Sequence, residues 1–98
     1  MNKVFVSSYG IKKLSIIKTI EKFSKNNINN IELSSNKYIN KKEIKKILLF
    51  KKIKFKLHNY FPPPKIPFVI NLASKDPNII KKSINNIKKS IILSKKLN

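Results

Sequence analysis

The chain has no cysteine, no arginine, no tryptophan, one glycine, one histidine and only four acidic residues among its 98. Without cysteine, disulfides and thiolate metal sites are excluded, and nothing marks the redox compartment. The sole glycine, Gly10, is too little for a GxGxxG or Walker A phosphate loop. No nucleophile elbow and no HExxH zinc pattern occurs. No apolar run reaches the length of a membrane span. The opening MNKVFVSS lacks the long apolar stretch of a secretion signal. The expected setting is therefore the cytoplasm, with no membrane partner.

Lysine is what the chain has in excess. All 23 basic residues are lysine, and the formal net charge is +19. Such a charge invites a nucleic-acid reading. Against it stands the lack of arginine, whose planar fork is the preferred reader of phosphates and base edges. The lysines are also spread evenly instead of forming one stripe. Lysine, asparagine and isoleucine make up more than half the chain, the residue set of a very AT-rich coding sequence. Most of the lysines are thus expected on solvated faces, against the alternative of a non-specific polyanion-binding surface, and nucleic acid is not the expected partner.

Ninety-eight residues allow one domain. Val4-Phe5-Val6 reads as a buried strand, with Gly10 supplying a positive φ in the turn behind it. Ile16, Ile17, Ile20 and Phe23 then recur at helical spacing between about Lys12 and Asn26, and Asn26-Asn27 stops the helix. Asn29 to Ser34 is a second strand, with Ile31 and Leu33 on one face and Glu32 and Ser34 on the other. Asn40 caps a second helix to about Phe50, striped by Ile44, Ile47 and Leu48. Ile53 to His58 is a third strand, with Ile53, Phe55 and Leu57 opposite Lys54, Lys56 and His58. Pro62-Pro63-Pro64 excludes helix interior and central strand and predicts a stiff polyproline-II segment. Phe68 to Leu72 is extended. Asp76-Pro77 opens a last helix to about Leu97, with Ile80, Ile84, Ile87 and Ile91 as its apolar stripe.

This alternation predicts an α/β fold with three parallel strands and three helices, a little under half of a (β/α)8 TIM barrel. Ligands of such folds sit at the carboxyl ends of the strands. Those ends carry Ser7, Ser8 and Tyr9, then Glu32, Ser34 and Ser35, then His58, Asn59 and Tyr60. His58 is the foremost candidate, as a metal ligand or a general acid/base, against the alternative of a structural histidine. Glu32 is a candidate acid/base or acceptor for a substrate hydroxyl, against the alternative of a salt bridge to a nearby lysine. These two do not make a metal site alone, because catalytic metals take about three protein ligands. Lys54 and Lys56 share this face; Lys56 favours a phosphate or carboxylate substrate over a cation, against the alternative that both lysines lie low in the barrel or at its edge and reach water by their stems. Glu21 and Glu43 read as surface charges, and Asp76 as a cap.

Two motifs carry a family resemblance: His58-Asn59-Tyr60 followed by Phe68-Val69-Ile70-Asn71-Leu72-Ala73-Ser74, and Ile31-Glu32-Leu33-Ser34. They resemble the third- and second-strand regions of the xylose isomerase-like TIM barrel superfamily. That superfamily holds sugar phosphate isomerases and epimerases and the apurinic endonuclease IV class. Phe61 to Pro67 is an insertion relative to the endonuclease pattern, which favours the isomerase branch. The resemblance implies catalytic roles for Glu32 and His58, with His58 a metal ligand in the endonuclease branch. It implies substrate contacts from Ser7, Tyr9, Asn59, Tyr60 and Asn71. It also implies a small phosphorylated or acidic sugar as substrate and a divalent metal (manganese, magnesium or zinc) in the intact parent. Residues 1–98 would then be the N-terminal part of a barrel domain. Little turnover and no tight metal binding are expected of it alone, and a complementary barrel segment is a candidate partner.

The charge balance has a thermodynamic consequence. Like charges at short spacing repel in the compact state, and salt shortens their reach from about 10 Å at 0.1 M to about 3 Å at 1 M. Urea denaturation at the two salt concentrations is expected to give a higher midpoint at 1 M. An unchanged or lower midpoint would show that the lysines do not strain the fold.

Overall fold

A computed structural model describes residues 3–11, 13–35 and 37–97. The elements follow in the order β1 (Val6–Ser7), a 3-10 turn (Ser8–Gly10), α1 (Ile16–Lys25), β2 (Asn30–Leu33), α2 (Lys41–Leu48), β3 (Lys54–Leu57) and α3 (Pro77–Leu97). The three strands form one parallel sheet in the order β1-β2-β3. Val6 is in register with Ile31 and Ile31 with Phe55; Ser7 is in register with Glu32 and Glu32 with Lys56. The expected small α/β fold with parallel strands is thus present.

Strand alternation sorts the sheet into two faces. Ile31, Leu33 and Phe55 are buried and join one core with Ile16, Ile20 and Phe23 of α1, Ile47 of α2 and Leu93 of α3. All three helices therefore contribute to the layer that covers this face. Each such side chain withdrawn from water contributes about 1.5–3 kcal/mol. Lys54, Lys56 and His58 lie on the other face, exposed.

The helix starts follow local hydrogen-bonding chemistry. Ser15 caps α1 by accepting from the Lys18 N–H at 3.3 Å. The helix accordingly begins at Ile16, later than the expected start at Lys12, which lies outside the described residues. It ends at Lys25, capped by Asn26 and followed by Asn27 at φ 59°. Asn40 and Glu43 form a reciprocal capping box on α2, so Glu43 is more than a surface charge. Asp76 accepts from the Asn78 N–H at 2.9 Å, with Pro77 at the first position of α3.

Other expectations need correction. The first strand is Val6–Ser7 rather than Val4–Val6, and Val4 is 79% exposed. In this register Val4 would face Asn29, which lies in the turn after α1 and gives its carbonyl to Lys54 of β3. Gly10 belongs to the 3-10 turn, and no glycine among the described residues has a positive φ; the left-handed position is Asn27. On α3 the buried positions are Ser83, Asn86 and Leu93, while Ile84 and Ile91 are exposed. The helix is therefore turned about one residue from the isoleucine stripe. The reason is polar: Ser83 and Ser90 face inward to bond the loop that precedes the helix.

That loop is fastened at several points. The Ser90 hydroxyl donates to the Phe61 carbonyl, and Ser83 Oγ accepts from the Asn71 N–H at 2.9 Å. The Tyr60 hydroxyl accepts from the Phe68 N–H at 2.9 Å, and the two rings meet edge to face with centroids 6.1 Å apart. Pro62–Pro64 forms neither helix nor strand, and the Phe61–Pro62 peptide bond is cis. The run Phe68 to Leu72, expected to be extended, forms no strand and enters a turn at Leu72; Val69 and Leu72 are exposed, so it adds little to the core.

Phe61 itself is fully buried in that core. Phe61→Ala is expected to cost about 3–5 kcal/mol, as emptied aromatic core sites do. Val4→Ala is expected to stay within about 0.5 kcal/mol. Equal urea midpoints for the two variants would mean that the loop is not pinned through Phe61.

Candidate functional site

The carboxyl ends of the three parallel strands meet at one edge of the sheet. Ser8 binds the first two ends together: its hydroxyl donates to the Ser34 carbonyl at 2.8 Å and accepts from the Ser34 N–H at 2.9 Å. The His58 N–H extends the β2–β3 ladder by donating to the Leu33 carbonyl at 2.9 Å. The Phe61 N–H then turns back to the His58 carbonyl at 2.9 Å. His58 is thus held by backbone on both sides.

Glu32 and His58 come together on this edge, with His58 Nδ1 3.4 Å from Glu32 Oε1. Leu57 is the register partner of Leu33, so His58 is one step beyond the residue opposite Leu33 and shares the face of Glu32. The direct register partner of Glu32 is Lys56, but the Lys56 ammonium lies over the Phe5 ring, 4.4 Å from its centre. The cation–π contact turns the Lys56 ammonium toward Phe5, and its apolar stem can lie along the open face. The side chains of His58 and Glu32 are 52% and 39% exposed, so the pair is open to solvent and ligand.

A cavity of about 650 Å³ collects the edge, lined by Ser7, Tyr9, Glu32, His58, Tyr60 and Lys65 among others. Five of the sequence-derived candidates therefore share one space. Their hydroxyls are partly committed. Ser7 Oγ accepts from the Tyr9 N–H at 3.2 Å as the cap of the 3-10 turn. Tyr60 accepts from Phe68, which leaves its own proton to donate.

The other two candidates lie elsewhere. Asn59 lines a separate groove between β3 and α3. Asn71 is exposed, and its side-chain oxygen accepts from the Ala73 N–H at 3.0 Å in a local turn. Neither is among the residues lining the cavity. Lys65 and Tyr38 line it without having been singled out from sequence. Lys65 had one legible signal: it directly follows the proline run, on a loop leaving the histidine.

At the opposite end of the sheet, Lys54 crowds Lys3. Its hydrogen bond first, and its charge second, hold the exposed Lys3 amine below the usual lysine value. Among the described residues, no group of three or more His, Cys, Asp or Glu side chains could hold a metal ion. No helix among them is long and apolar enough to cross a membrane. No family model matches the chain, and no curated protein or solved structure is significantly similar to it.

The Ser8 clamp makes a direct prediction. Ser8→Ala leaves the half-buried Ser34 N–H and carbonyl, just past β2, without their partner and is expected to cost about 1–3 kcal/mol. Ser7→Ala removes only an exposed cap and is expected to cost less than Ser8→Ala. Reversal of this order in thermal melts would remove Ser8 as the clasp of the site.

Proposed function

We propose that the chain is the N-terminal part of a sugar phosphate isomerase- or epimerase-like (β/α) barrel whose strand-end cavity takes a small phosphorylated or acidic sugar. The observation that carries this reading is the Glu32–His58 pair, 3.4 Å apart at the carboxyl end of a parallel sheet. Carboxylate and imidazole together suit the movement of a proton next to a carbonyl, with Glu32 orienting the ring and His58 holding the proton. Ser7 and Tyr60 stand where sugar hydroxyls would need partners, and Lys65 is the cation for the phosphate or carboxylate.

A divalent metal takes about three protein donors, and Glu32 and His58 would be two of them, so any such metal of the intact barrel would need a donor from outside this part. The role argued for these residues themselves is that of His58 as a base oriented by Glu32.

The partial-barrel element of the reading has its own support. β3 is an edge strand, and beside it lies a groove of about 420 Å³ between Phe55 and Leu57 on one side and Ile87 and Ile91 on the other. An open parallel edge beneath an uncovered apolar helix flank suits one more strand laid parallel to β3. A complementary barrel segment is the proposed occupant. Nucleic acid is the weaker reading, since no arginine fork is present.

Binding tests the reading without requiring turnover. In an NMR titration, fructose 6-phosphate is expected to shift the His58 ring resonances, and fructose is not. Lys65→Gln is expected to weaken the phosphate ester about tenfold, or about 1.4 kcal/mol. Equal shifts with inorganic phosphate would reduce the site to simple anion binding and defeat the sugar reading.

A further inference from the structure

A second cavity lies between α2 and α3, separated from the strand-end cavity by the proline run. Its volume is about 580 Å³, within the range of small-molecule sites. Asn86 of α3 lines it while 95% buried, at 5% residual exposure. The Asn86 amide nitrogen is buried without a hydrogen-bond partner. A buried N–H donor left unsatisfied costs about 1–3 kcal/mol, so an acceptor that completes it gains that difference.

The remaining walls specify the acceptor. Lys41, Lys45, Lys65, Lys89 and Lys96 surround the cavity, with no carboxylate among its lining residues. Between the lysines, Ile44, Leu48, Pro62 and Pro63 make an apolar floor. Charge alone would make a solvated lysine patch, and an apolar floor alone would make a greasy cleft. The combination with a buried amide donor selects an anion attached to an apolar body.

We propose that this cleft binds a small amphiphilic organic anion, a carboxylate on a hydrocarbon chain. The carboxylate accepts from Asn86 after a turn about its soft terminal amide torsion. Lys45 and Lys89 balance its charge, and the chain lies on Ile44 and Leu48. The cleft shares Tyr38, Pro63, Pro64 and Lys65 with the strand-end cavity, but Asn86, Lys45 and Lys89 line only the cleft, so the proposal stands whether or not the Glu32–His58 edge handles sugars.

The probe is sodium octanoate, compared with acetate and octylammonium, followed by amide NMR of the full chain. Octanoate is expected to shift the Asn86 side-chain amide and the α2 and α3 amides saturably. Acetate, which lacks the chain, and octylammonium, which reverses the charge, are expected to leave them in place. Asn86→Leu is expected to weaken octanoate about tenfold while raising the urea midpoint, because it removes an unpaired buried donor. If that variant does not fold, Lys45→Gln with Lys89→Gln carries the test against Lys18→Gln with Lys22→Gln on α1, which removes the same charge at a distance. Octanoate affinity retained by Asn86→Leu, equal loss from both lysine pairs, or equal binding of octylammonium would overturn the proposal.

Discussion

The whole arrangement depends on the two-residue period of a strand whose one face is buried. Ile31 and Leu33 are both fully withdrawn from water, as Phe55 nearly is on the neighbouring strand. A slip of one residue would turn these side chains into solvent and bury Glu32 and two lysines in their place. No feature of the lysine-rich surface could offset such an exchange. Register is therefore set by the core, and register alone puts Glu32 and His58 on one side of one edge. The site is a by-product of packing geometry in position, though not in chemistry: the core requires only that something polar stand at Glu32 and His58.

The loop above the edge obeys a different constraint. Nineteen residues, 58–76, join β3 to α3 with neither helix nor strand, which is long for a connection inside a compact domain. It is held by one aromatic anchor, Phe61, and by serines of α3 that receive its backbone groups. Those serines explain the unusual composition of the buried face of α3. A helix that packed only on the sheet would present isoleucine inward. This one presents Ser83 and Ser90 because it also serves as the hydrogen-bonding partner of an irregular segment.

Most of the strand and helix order was legible because isoleucine is frequent and lysine is not tolerated inside. The two together write a clear binary pattern, as in Ile31-Glu32-Leu33 and Lys54-Phe55-Lys56-Leu57. Caps at Asn40 and Asp76 were legible for the same local reason. The meeting of Glu32 and His58 followed from parallel pairing and strand phase. What failed were features set by non-local bonds. The phase of α3 depends on carbonyl and amide partners in a loop, which helical periodicity does not encode. The retreat of β1 to Val6–Ser7 depends on where β2 can begin, after the Asn27 turn. Asn71 was expected at the substrate only through the family resemblance, but its side chain closes its own turn.

Asn86 shows where these arguments meet. It stands on the same inward stripe as Ser83 and Ser90, where a polar residue has a loop group to serve, yet its amide nitrogen has none. An apolar side chain would pack there at no such cost. A helix with isoleucine at neighbouring positions is under no shortage of apolar alternatives, so a buried amide among lysines is a local conflict of the kind that marks functional or strained positions. The same positive field that makes the charge balance unfavourable for folding would lower the cost of holding an anion beside that amide. The excess of lysine is thus a burden on most of the surface, and a resource at the cleft where a buried donor and an apolar floor coincide.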